Sequence, residues 1–127
     1  MHRAQDVDWH IREATVTNFA ELVVAYKKYF LKEKFLQHFL HAIEDKDTRV
    51  RVAGIRGVAA IYHSVDEDEF EAIEMFKDRF HDKAGERFAD NAPGMMNAML
   101  DLCFEVTPMQ CATFVRAPSL NMNHAFL

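Results

Sequence analysis

Proline, glycine, cysteine and tryptophan are all scarce in this chain of 127 residues, at three, four, two and one. So few breakers leave room for long helices. Two cysteines are too few for the disulfide framework of a small secreted domain. Cys103 and Cys111, in apolar surroundings, read as buried thiols in a reducing compartment. No run of about eighteen apolar residues exists to cross a bilayer, and the opening MHRAQDVDWH lacks the apolar centre of a secretory signal. A soluble intracellular protein without a membrane partner is expected. Clustered positive charge is missing too. The net charge is −5 at pH 7, with acids scattered among the lysines and arginines, which argues against phosphate-dominated binding to DNA. Nor does any stretch alternate apolar and polar residues for long enough to make a half-buried strand.

What is present is apolar and helix-periodic. Half of the residues are hydrophobic, with eleven Phe and seven Met, in a length that makes one domain and buries about two thirds of its unfolded surface. Ile11, Val16, Phe19, Val23, Tyr26 and Phe30 recur at helical intervals and predict a first helix of about twenty residues. Phe35, Leu36, Phe39, Leu40 and Ile43 predict a second in EKFLQHFLHAIE. Within DKDTRVRVAGIRGV, the Asp47 carboxylate can accept from the first free N–H groups of a third helix, from Thr48 to His63. Gly54 and Gly57 inside it cost about 1 kcal/mol each relative to Ala, which close approach by a neighbouring helix would offset. The acidic SVDEDE then opens a long fourth helix with Phe70, Ile73, Phe76, Phe80, Ala84 and Phe88 on one stripe. A fifth starts near Pro93 and carries Met96, Met99, Leu100, Cys103 and Phe104. TPMQ, with Thr107 as cap and Pro108 at the first helical position, has the capping-box pattern of a sixth. Turns are expected near 31–33, 45–48, 64–68, 89–93 and 106–108.

The fold class is therefore all-α, built of antiparallel helix hairpins. A helix, a short acidic turn and a second helix opening D-K-D-T-R-V-R-V-A resemble a HEAT repeat, with the alanine one residue closer than in that pattern. A wider resemblance runs along most of the chain. The ordered set His2-Arg3, Ile11-Arg12, Tyr26, Phe30-Leu31, Leu36, Asp45-Lys46, Val50-Arg51 and Tyr62, then IEMF, Arg79-Phe80 and Cys111, is similar to the stromalin conservative domain of stromal-antigen cohesin subunits.

That resemblance implies a HEAT-like α-solenoid, with residues 1–127 a single stromalin-type domain and a fragment of a longer solenoid. It also implies a non-enzymatic interaction module without a cofactor, acting in sister chromatid cohesion in the nucleus, on chromosomes. The implied partners are the kleisin cohesin subunit and chromatin or regulatory proteins carrying Phe/Tyr-x-Phe motifs, with DNA reached only through the larger complex. In that family a pocket for two peptide aromatics is lined by aromatic and basic side chains, which gain from apolar area and π contacts. Arg79 and Phe80 match the family's pair. Gln37, His38 and His41 stand where the family carries Lys, Tyr and Trp, and Ala4 stands where it carries Tyr.

A different class of function is a free-standing helical bundle with a His/Asp metal or small-molecule site. His38, His41 and Asp45 are spaced along one helix, and Asp78, His81 and Asp82 form a second cluster. No second His/Cys pair completes a zinc set, no Glu-x-x-His exists for a carboxylate-bridged centre, and nothing selects one histidine for haem. Simpler roles are open to each group: Phe80 as core, Arg79 paired with Glu74 or Asp82, Met95, Met96 and Met99 as gap-fillers, and Trp9 closing the first helix on its neighbour.

Overall fold

Among the described residues, six α-helices and two 3-10 segments follow one another and there is no strand. The computed structural model describes the backbone of residues 8–115 and the side chains of residues 8–106. In chain order the helices are α1 (Trp9–Ala25), α2 (Lys27–Phe30), α3 (Glu33–Ala42), α4 (Thr48–Ser64), α5 (Glu74–Ala84) and α6 (Met95–Val115). The 3-10 segments are Glu67–Ile73 and Gly85–Ala89, on either side of α5.

Three sequence expectations are corrected. The first helix stops at Ala25, because Tyr26 leaves the helical region (φ −129°, ψ 55°) before α2 adds one more turn. The break brings Phe30 to 6.5 Å from Phe19 and 5.1 Å from Phe35, closing an aromatic cluster under α3. The fourth helix is shorter than its apolar stripe. Asp66 and Glu69 form a capping box, but the chain winds as a 3-10 segment to Ile73, and another follows Ala84. Three residues per turn aligns Phe70 with Ile73, so the stripe is kept while the α-helix is not. Finally, no turn occurs at 106–108: α6 continues through Thr107 and Pro108. A proline inside a helix removes one hydrogen bond at a cost of about 3 kcal/mol but does not oblige the chain to turn. The stripe of Met95, Met99, Leu102 and Val106, all buried, carries the helix up to it. Cys111 lies beyond the described side chains, and His2, Arg3 and Ala4 lie outside the described residues.

The cap of α4 is as the sequence implies. The Asp47 carboxylate accepts from the Arg49 N–H at 2.8 Å, and Asp45 accepts from the Asp47 N–H at 2.8 Å. Gly54 and Gly57 meet α3 closely. A Cβ on Gly57 would lie 3.0 Å from the Phe39 ring and 3.1 Å from the Ala20 methyl, and one on Gly54 would lie 3.0 Å from Ala42 and from Ile43.

These contacts define two layers. Arg12 binds Asp45 and Trp9 stacks under Arg49, while at the far end Lys27 donates to the Ser64 carbonyl, so α1 and α4 run in the same sense. Arg51 binds Asp90 just ahead of α6, and His63 meets Glu105 on it, so α6 runs in that sense too. The helices α1, α4 and α6 make the first layer. Phe39 against Gly57, with Ala42 and Ile43 against Gly54, sets α3 antiparallel to α4. Glu33 pairs with Arg79 and Glu44 with Lys83, which places α5 beside α3 in a second layer. Leu36, Phe39, Ile55, Phe76, Phe80 and Leu102 fill the space between the layers. This is the alternation of an α-solenoid.

Partly buried ion pairs fasten the loops. Arg12 grips both oxygens of Asp45 at 2.9 Å. Burial, the largest single influence, raises the Asp45 carboxyl pKa, but the Arg12 hydrogen bonds, the Asp47 N–H and the Arg12 charge together outweigh it and hold the carboxyl below the usual value. Asp90 takes Arg51 at 2.8 Å and Arg87 at 3.2 Å, and the Arg51 bond holds its carboxyl low.

Candidate protein-docking surface

The second layer presents one side to α4 and the other to solvent. On α3 the sequence alternates between the two: Leu36, Phe39, Leu40 and Ile43 are buried, while Gln37, His38 and His41 are exposed. His38 lies across the rim of the aromatic cluster, edge-on to Phe19 at 5.3 Å. Gln37 and His41 lie one helical turn apart, on the outer side of α3.

On α5 the neighbouring residues Arg79 and Phe80 part company. Arg79 is exposed and pairs with Glu33 across the α3–α5 junction, rather than with Glu74 or Asp82. Phe80 is 0% exposed and stacks on Phe76 at 5.2 Å. Phe80 is therefore a core residue beneath the surface rather than part of it. Asp78, Arg79, His81 and Asp82 edge a shallow depression beside it. His81 itself turns inward, with its Nε2 2.9 Å from the Tyr62 hydroxyl. Burial, and then the charge of Lys77, push the His81 pKa from 6.5 down to about 4, so the ring is neutral at physiological pH.

The metal readings find no geometry. Among the described residues, no group of three or more His, Cys, Asp or Glu is arranged to hold an ion. Asp45 is engaged with Arg12, and His81 with Tyr62, so neither joins its sequence neighbours in a ligand set. Also among the described residues, no helix is long and apolar enough to cross a membrane. The three methionines divide: Met95 and Met99 fill the core, and Met96 is exposed. Trp9 does close α1 against its neighbour, with the Arg49 guanidinium 3.3 Å above its ring.

The apolar stripes read from the sequence took in Ile11, Tyr26, Met96, Leu100 and Phe104, but the structure leaves these five exposed. Ile11, Leu22, Tyr26 and Tyr29 lie along the outside of α1 and α2, and Met96, Leu100 and Phe104 along the outside of α6. Periodicity alone does not tell a covered stripe from an open one.

The chain was compared with known proteins. Neither the curated proteins nor the solved structures yielded a match. The family model of the stromalin conservative domain matches residues 5–81, which spans α1 to most of α5 and stops short of α6 and Cys111. That family is a structural one of cohesin subunits, associated with chromosomes in the nucleus and not known for enzymatic activity. With more than half of its length matched and its helices layered as a solenoid, the chain belongs to the stromalin conservative domain family.

Proposed function

We propose that this domain is a non-enzymatic docking module that binds the kleisin subunit and, on the outer side of α3 and α5, short Phe/Tyr-x-Phe motifs of chromatin regulators. The observation that supports it is the joint exposure of Gln37, His38, His41 and Arg79 on neighbouring helices, over a rigid aromatic floor that includes the buried Phe80. Arg79 supplies a cation for peptide carbonyls or a carboxylate, and the histidines supply edges against which an aromatic side chain can lie. The Arg79–Glu33 pair sits at this junction, with the Arg79 side chain about half exposed and Glu33 more covered. The domain works as a section of a longer superhelix, on chromosomes, and reaches DNA only through its partners.

The test is titration calorimetry of the full chain with a kleisin fragment present and a Phe/Tyr-x-Phe peptide as titrant. His41→Trp restores stacking area at the position where the family carries Trp. It is expected to tighten binding by about 1–3 kcal/mol, at roughly 25 cal/mol per Å² of apolar surface. Adding Arg79→Ala is expected to erase that gain. Equal affinities for the wild type and His41→Trp would show that this side does not read such peptides.

A further inference from the structure

We infer that Ser64 is a phosphorylation site for a protein kinase with a basic substrate groove, and that its phosphate group draws Lys27 away from Glu69. This is independent of kleisin and peptide recognition. Of the serines and threonines in the sequence, Ser64 alone is followed by an unbroken run of acids, Asp66, Glu67, Asp68 and Glu69, at the second to fifth positions after it. Ser64 ends α4, and Val65 and Asp66 after it are extended (φ −84°, ψ 134° and φ −93°, ψ 168°), the backbone shape that a peptide-binding groove takes. Asp66, Glu67 and Asp68 are exposed, and among the described residues no cationic side chain pairs with Glu67 or Asp68. A groove of opposite charge therefore meets acids that are free to bind it. The segment joins the first layer to the second, so repeats stacked along the layers leave it open.

The half-buried Ser64 hydroxyl donates to the Ile61 carbonyl at 2.8 Å, and Val65 beside it is 9% exposed. Both contacts belong to the end of a helix, the part that opens most readily, and that opening presents the hydroxyl. In the transfer, Ser64 Oγ forms a bond to the γ-phosphorus of a nucleoside triphosphate as the bond from that phosphorus to its bridging oxygen breaks. The diphosphate leaves with that electron pair, and the hydroxyl proton passes to the base of the kinase. The product is a second strong anion at the end of α4, where the last free carbonyls already carry partial negative charge. A cation stands within reach. Lys27, with its side chain 20% exposed, donates to the carbonyl of Ser64 itself and to Glu69 Oε1 at 3.0 Å. A phosphate offers it more charge than a carboxylate, so Lys27 turns from Glu69 to the phosphate. Glu69 Oε1 also accepts from the Asp66 N–H at 2.9 Å and closes the capping box of the 3-10 segment Glu67–Ile73. Without Lys27, and repelled by the new charge, that segment loosens from α2.

The full chain is incubated with ATP and a serine/threonine kinase that selects acids after the hydroxyl, and the modified residue is located by mass spectrometry. Phosphate on Ser64 is expected, with none in Ser64→Ala and incorporation at least about tenfold slower in Glu67→Gln with Asp68→Asn. Circular dichroism establishes that the variants are folded. Three results would each overturn the site: a full chain left unmodified by a kinase active on an acidic reference peptide, transfer to another residue instead, or an undiminished rate in the acid variant. Amide hydrogen exchange then reads the effect on Lys27. Residues 69–73 are expected to exchange at least about tenfold faster in the phosphorylated chain than in the unmodified one. In Lys27→Gln they are expected to exchange fast from the start, with little further change on phosphorylation. Equal protection of the wild type with and without the phosphate, or an undiminished response in Lys27→Gln, would overturn the transfer of Lys27. Failure of the peptide titration leaves these outcomes untouched, and the reverse holds too.

Discussion

His81 carries the clearest consequence at the scale of a single residue. Its ring is buried against Tyr62, and its pKa in the folded chain is about 4 rather than 6.5. Between those values the unfolded chain takes up a proton that the folded chain refuses. Stability is therefore greatest above pH 6.5 and is lost as the pH falls toward about 4, by up to about 3 kcal/mol for a shift of this size. Urea unfolding midpoints measured from about pH 7 to pH 4.5 are expected to fall steadily. His81→Gln, which keeps a hydrogen-bonding partner for Tyr62 without titrating, is expected to flatten that slope, and an equally steep slope in the variant would place the cause elsewhere. From the sequence, His81 with Asp78 and Asp82 suggested a metal cluster. Which way a helical histidine faces depends on neighbours distant in sequence, here Tyr62, and spacing does not contain that.

At the scale of elements, what could be read was what depends on local chemistry. The Asp47 cap, the start of α4 at Thr48 and the turns expected near 45–48 and 89–93, found at 43–47 and 90–94, follow from short-range hydrogen bonding and periodicity. The break at Tyr26, the 3-10 segments around α5 and the passage of α6 through Pro108 depend on packing that propensity does not see. The glycines of α4 were legible for a physical reason, since two of them inside a helix need compensation. Gly57→Ala gains helix propensity, but its methyl would press on Phe39 and Ala20 at 3.0 and 3.1 Å. A net loss of about 1–2 kcal/mol is expected, because neither neighbour is free to move in a close-packed core. Gly85→Ala meets nothing within 4 Å and is expected to stabilise by about 0.5–1 kcal/mol. Chemical denaturation of the two variants beside the wild type checks both signs.

For the whole molecule, α4 is the spine: it touches α1 and α6 in its own layer and α3 and α5 in the other. Opening it exposes the core of every neighbour, whereas α1 and α6 each have an uncovered side. Amide hydrogen exchange is expected to be slowest in α4, at residues 52–61, and faster in α1 and α6, and the slowest amides lying in an edge helix would contradict this layering. The fold class was legible because helix periodicity pervades the chain. Of the candidate site, Gln37, His38, His41 and Arg79 reached the surface and Phe80 did not, because adjacent helical positions differ in direction by about 100° and only the packed neighbours decide which one is covered. The parallel sense of α1, α4 and α6 has an electrostatic consequence. Their peptide dipoles add rather than cancel, gathering partial positive charge at one end of the layer. Asp8, Asp45, Asp47 and Asp90 stand at that end, and all four carboxyl groups have pKa values below their ordinary ones. The start of the layer is thus a seam of fixed anions over aligned helix ends, ionised to lower pH than solvent-exposed aspartates and weakened by salt where it meets water.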